Sequence, residues 1–190
     1  STCFRTRITS RRPRCSRATR LTIAAIIAPM PREIERKFLT VSDGWRSQAG
    51  QSQPMSQGYL LSSGKVSVRV RIAGHEAWLN IKAGGLVASR AEYEYPIPHG
   101  EARELPALVE GPLIEKTRHL VEHGGMTWEV DEFHGDNSGL VVAEIELDSE
   151  DAPFSRPAWL GVEVTHLRRY YNVCLVTHPY RVWNDAERNP

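Results

Sequence analysis

From residue 30 onward, apolar and polar residues alternate in short runs broken by turn residues. A period of two marks β-strands, because successive side chains point to opposite faces. "KVSVRVRIAG" (65–74) is the clearest case: Val66, Val68, Val70 and Ile72 form one row, and Ser67, Arg69 and Arg71 the other. "EAWLNIKAG" (76–84) follows after an "AGH" turn, which predicts a hairpin with Lys82 and Asn80 on one face. "RAEYEYPI" (90–97) sets Glu92 and Glu94 against Tyr93 and Tyr95. "LIEKTRHLV" (113–121) places Lys116 with Arg118. "MTWEVDEFHG" (126–135) puts Glu129, Asp131 and Phe133 opposite Trp128 and Val130. "LVVAEIELD" (140–148) puts Glu144, Glu146 and Asp148 opposite Ala143, Ile145 and Leu147. "EIERKF" (33–38) opens the series, with Glu33, Glu35 and Lys37 in one row. Short helices are expected at about 43–50, 99–110, 153–160 and 167–174. About eight antiparallel strands with few helices define an α+β chain.

One solvated face would explain the alternation in any single strand. Taken together, the strands repeat a more specific device. Like charges recur at i and i+2, with both signs: Arg69/Arg71 and Lys116/Arg118 against Glu33/Glu35, Glu92/Glu94 and Glu144/Glu146. If the sheet closes on itself, these rows face inward, and an eight-stranded barrel has room for a small ligand. Basic pairs suit the oxygens of a polyanion. Acidic pairs repel phosphate but hold Mg2+ or Mn2+, which bridge to it. Both signs in one cavity imply a metal–polyphosphate complex. The chain has no GxxxxGK[ST] loop, which excludes a P-loop as the route.

Charge and composition narrow the partners. The formal net charge is +1, but residues 1–29 hold seven arginines and no acidic residue, so residues 30–190 are net acidic. An acidic body does not suggest nucleic-acid binding. No apolar run approaches the roughly 20 residues of a membrane span. Three cysteines without CxxC spacing (Cys3, Cys15 and Cys174) argue against a disulfide framework or zinc site, and a cytoplasmic compartment is expected. Residues 1–29 have the Arg- and Ser-rich composition of a transit peptide, but a disordered extension, or translation upstream of a start at Met30, is the expectation. They are set apart from a folded domain spanning 30–190.

"EIERKF" resembles the ExExK signature of the CYTH domain, the triphosphate tunnel metalloenzyme family. "QGYL" (57–60), "VRVR" (68–71), "LNIK" (79–82), "RAEYEYPI", "EKTR" (115–118), "WEVDEF" (128–133), "GLVVAEIEL" (139–147) and "EVTHLRRYYN" (163–172) resemble its further blocks, in order. The resemblance implies an eight-stranded antiparallel β-barrel with flanking helices, enclosing a tunnel for a triphosphate and a divalent metal, Mg2+ or Mn2+. It assigns Lys37, Arg69, Arg71, Lys82, Lys116 and Arg118 to a triphosphate clamp, joined by Arg169. It assigns Glu33, Glu35, Glu92, Glu94, Asp131, Glu144 and Glu146 to the acidic set, with Glu33, Glu35, Glu144 and Glu146 as first metal candidates. Tyr59 would pair with Lys37 to place or deprotonate the attacking water. Either Arg168 or Arg169 could fill the last basic slot. The implied activity is metal-dependent hydrolysis of a small-molecule triphosphate, with inorganic tripolyphosphate as the first substrate. A class IV-type adenylyl cyclase, a thiamine or nucleoside triphosphatase, and a non-catalytic polyphosphate-binding module remain alternatives. Neither a membrane nor a nucleic acid is an expected partner, and a homodimer stays open.

Overall fold

The computed structural model describes residues 32–85, 89–109 and 111–190, so residues 1–29 lie outside what it describes. Nine strands form one antiparallel sheet: β1 (Arg32–Thr40), β2 (Ala49–Ser62), β3 (Val66–Ala73), β4 (Glu76–Ala83), β5 (Ser89–Pro96), β6 (Ile114–His123), β7 (Met126–Phe133), β8 (Val141–Glu146) and β9 (Leu160–Glu163). The order runs β5-β4-β3-β2-β6-β7-β8-β1. β1 then pairs back onto β5, Arg32 against Ala91 and Ile34 against Ser89, which closes eight strands into a barrel. β9 lies outside the ring, on the second half of β1.

Local chemistry sets the turns. The β6–β7 hairpin turns on Gly124 and Gly125, at φ 62° and 79°, a left-handed pair that glycine adopts without strain. β2 is the longest strand and contains Pro54. β3 ends opposite Met55, so Pro54 stands at an edge position, where a missing N–H is tolerated. There the Gln53 side chain donates to the Ala73 carbonyl at 3.1 Å.

The expected helices are shorter than the pattern suggested. A 3₁₀ turn covers Asp43–Gln48, and α1 (His99–Glu104) runs into a second 3₁₀ turn at Leu105–Leu108. At the C-terminal end a 3₁₀ turn (Arg168–Tyr170) leads into α2 (Asn172–Thr177), and α3 (Asp185–Arg188) is a single turn. No helix forms over 153–160. Pro157 explains this, since inside the span it lacks an N–H and disfavours the helical region in the residue before it. The segment instead lays Phe154 and Trp159 edge-on against Trp128, at 5.7 and 5.8 Å between ring centroids.

Of three apolar clusters among the described residues, the smallest packs Val70 and Ala77 against Ala102 of α1, and two larger ones hold the rest of the barrel. One lies on its outer face, where Phe38, Trp45, Val121, Trp128, Val130, Ala143 and Ile145 pack beneath that segment. The other closes one end. Ile114, Phe133, Leu140, Val142 and Val164 meet Tyr170, Leu175 and Trp183 from the C-terminal segment, with Leu39 against them. Ile114, Phe133, Val142 and Leu39 each lie two residues from Lys116, Asp131, Glu144 and Lys37, and so share their inward face.

Candidate active site

The inward rows line a cavity of about 210 Å³. β3 contributes Ser67, Arg69 and Arg71, β4 Lys82, and β6 Arg118. β5 contributes Arg90, Glu92 and Glu94, β7 Glu129, β8 Glu144 and Glu146, and β1 Glu35 and Lys37. Tyr59 of β2 and Tyr171, Asn172 and Val173 complete the wall.

Burying so many charges requires each to find a partner. Lys37 Nζ donates to Glu35 at 2.8 Å and to Glu144. Arg90 donates to the other Glu35 oxygen at 3.2 Å. Arg118 makes a forked contact to Asp131 at 2.8 and 2.7 Å, reaches Glu144 at 2.9 Å, and pairs with Glu129. Arg71 donates to Glu94 at 2.7 Å, and Lys82 pairs with Glu92 at 2.9 Å. The Tyr171 ring lies under two cations, Lys37 at 5.3 Å and Arg90 at 5.5 Å.

These contacts set the protonation states. Burial alone would lower Lys37, but Glu144 and Glu35 outweigh it and hold its pKa above the ordinary lysine value. Burial would raise Glu144, yet Lys37, Lys116 and Arg118 hold it well below the usual carboxylate range. Burial raises the Tyr59 phenol, with Arg69 opposing. At Lys116 and Arg71 the balance reverses, while against burial Asp131 and Glu129 hold Arg118 well above its ordinary value. Burial, then Arg118, push Lys116 down to about 8. Burial, then Arg69, lower Arg71. Positive charge is crowded there, and a bound anion would relieve it.

The acidic wall has the donor chemistry of a hard divalent cation. Glu35 stands opposite Glu146 and Lys37 opposite Glu144 across β1 and β8, and Glu129 opposite Glu144 across β7 and β8. Among the described residues, no three acidic or histidine side chains converge into a closed metal cage. Mg2+ seldom needs one: it keeps waters and binds through one or two carboxylates plus substrate phosphates. The residues present fit that mode.

Several residues depart from the expected placing. Arg169 does not reach the tunnel. Its Nε donates to the Glu187 carbonyl at 3.0 Å, and its guanidinium lies over the Tyr170 and Trp183 rings. Arg168 instead lines an adjoining pocket with Lys65, Lys82 and Arg90. Lys116 and Asp131 are bonded to each other and lie outside the residues lining the chamber. The Glu33 side chain lies outside the described residues, although its backbone pairs with Arg90. Sequence reading missed Arg90, which precedes Glu92 at i−2 and shares its row. It placed Glu129 on the charged face without counting it in the site. Nothing in the alternation pointed to Tyr171, which the turn at Arg168–Tyr170 delivers.

The sequence model of the CYTH domain matches residues 31–177. An inorganic triphosphatase from Acetivibrio thermocellus is 48% identical over 153 residues, covering 80% of this chain and 97% of that protein. One from Nitrosomonas europaea is 40% identical over 150 residues, covering 75% and 95%. The crystal structure of the inorganic triphosphatase NE1496 aligns with a TM-score of 0.56 at 35% identity, covering 76% of this chain and 93% of that one. The chain belongs to the CYTH domain family.

Proposed function

We propose that this protein hydrolyses inorganic triphosphate inside the barrel, with Mg2+ or Mn2+ as cofactor. One observation carries the reading: Arg69, Arg71, Lys82 and Arg118 share a single cavity with Glu35, Glu144 and Glu146. A polyanion alone would have no use for that acidic wall, and a metal alone none for the basic one. Two inorganic triphosphatases that match most of the chain support the same activity.

Glu35, Glu144 and Glu146 would hold the metal, joined on sequence grounds by Glu33. Bound there, a divalent cation supplies charge neutralisation at phosphate oxygens and acidifies a water. The chain's own residues do the rest. Arg69, Arg71, Lys82 and Arg118 give fixed positive charge to the non-bridging oxygens, which matters most as charge shifts to the leaving phosphate. Lys37, with its raised pKa, stays protonated. It therefore acts as a charge and a hydrogen-bond donor rather than as a base. Tyr59 stays a neutral phenol beside the chamber, able to orient a water. Residues 1–29 are outside this scheme, and a chain beginning at Met30 should keep its melting temperature and activity.

The test is phosphate release from tripolyphosphate, ATP and thiamine triphosphate, with Mg2+, with Mn2+ and in excess chelator. Tripolyphosphate should be the fastest substrate, and chelator should abolish turnover. Binding without turnover of any of the three would leave a polyphosphate-binding module. Faster turnover of ATP, with a cyclic product, would leave a cyclase.

A further inference from the structure

Gln57 is the least explained side chain in the barrel. It is 2% exposed, yet neither its Nε2 nor its Oε1 has a hydrogen-bond partner in the protein. Because both atoms are unpaired, the choice of which is N and which is O changes nothing. A buried amide without partners carries a desolvation penalty that folding leaves unrepaid. Evolution tolerates such a group where a ligand or water completes it.

Its direction follows from strand alternation. Tyr59, two residues on, lines the inner chamber. Met55, two residues back, lines a second cavity of about 200 Å³ together with Arg71, Arg118 and Glu129. Arg71, Arg118 and Glu129 also line the chamber, so the two cavities adjoin. Gln57 thus lies on the inward row of β2 between a residue of each, on the strand flanked by the two basic rows, and lines neither cavity itself. It stands opposite Arg71 on β3 and opposite Ile114 on β6, with Lys116 diagonal to it. Arg71 Nε is likewise buried without a hydrogen-bond partner. Side chains opposed in this way start about 5 Å apart at Cβ, close enough for both to reach one oxygen.

We propose that Gln57 is a substrate-contacting residue, whose carboxamide N–H donates to a non-bridging oxygen of the triphosphate beside Arg71. The assignment rests on the triphosphatase reading above. A neutral donor suits this place. A further cation would add to a wall where Arg71 and Lys116 already sit below their ordinary pKa values, and a carboxylate would repel the phosphate. The amide adds a hydrogen bond and costs no charge.

The test compares the wild type with Gln57→Leu and Gln57→Met, which keep the approximate volume and remove both polar atoms. Three quantities are read: melting temperature alone, the rise in melting temperature caused by tripolyphosphate in excess chelator, and steady-state kcat and KM with metal. Both variants should melt at or above the wild-type temperature, because an unpaired buried amide has been removed. The tripolyphosphate-induced rise should fall to less than half of the wild-type rise. kcat/KM should drop about 10- to 100-fold, the scale of one lost hydrogen bond to a charged group. Unchanged kcat/KM with an undiminished rise would overturn the proposal and leave Gln57 satisfied by water alone. Failure of both variants to fold would also overturn it, by showing a structural role. If the wild type turns over no triphosphate, the functional reading fails, while the metal-free rise still decides whether Gln57 meets the anion.

Discussion

The inside of the barrel has two halves built on the same strands. In one, Lys37, Lys116, Asp131 and Glu144 form a network of paired charges joined through Arg118. In the other, Leu39, Ile114, Phe133 and Val142 pack against Tyr170, Leu175 and Trp183. The step between them is two residues along each strand. At the boundary the Lys116 ammonium lies 5.7 Å from the Phe133 ring centroid. The apolar half packs one end of the barrel, and the buried charges of the polar half sit in a lower dielectric than water, where they are worth more. The difference teaches that the plug supplies stability and the charges supply chemistry, with little exchange between the two roles.

Substitutions should separate the halves. Phe133→Ala opens a cavity in the plug and should cost about 3–5 kcal/mol in chemical denaturation, with kcat in the folded protein changed only a few-fold. Lys37→Ala should do the reverse. Turnover should fall about 100-fold or more, the scale of one lost preorganised group, while stability falls by less than in Phe133→Ala, because Arg90 still pairs with Glu35 and Arg118 with Glu144. An equal loss of stability in both variants would erase the distinction.

The boundary lysine gives a pH signature. Its folded pKa of about 8 lies below the ordinary 10.5, so between those pH values the unfolded chain binds more protons. Stability should therefore rise with pH across that window, and Lys116→Met should flatten the rise in denaturation measured from pH 8 to 10.5. The smallest effect belongs to Arg169→Ala. It should leave turnover within about twofold and cost about 1 kcal/mol, the net worth of one hydrogen bond. A large loss of activity would return Arg169 to the tunnel.

Much of the site was legible because each charged row is a local feature. Arg69 and Arg71, or Glu144 and Glu146, share a face wherever their strand goes, since a two-residue repeat follows from backbone geometry. The apolar end was not legible. Phe133 stands in the row of Glu129 and Asp131, and alternation cannot say that the C-terminal segment will cover it. Gln57 reads as an ordinary polar residue until its burial is known. Arg168 and Arg169 are adjacent and chemically equal, and only the turn at Arg168–Tyr170 decides which one faces Glu187.

By itself, then, the sequence determined seven of the barrel's eight strands, their charged faces and the family, and missed β2 and β9. Tertiary structure decided that the faces meet. Closure depends on residues 32–34 pairing with residues 89–91, far apart in the chain, and that pairing sets Glu35 beside Arg90 and both beside Lys37. Periodicity reports only which way a side chain points from its own backbone. What it points at depends on long-range pairing and on the segment that fills the end of the barrel, and both lie beyond the reach of a two-residue repeat.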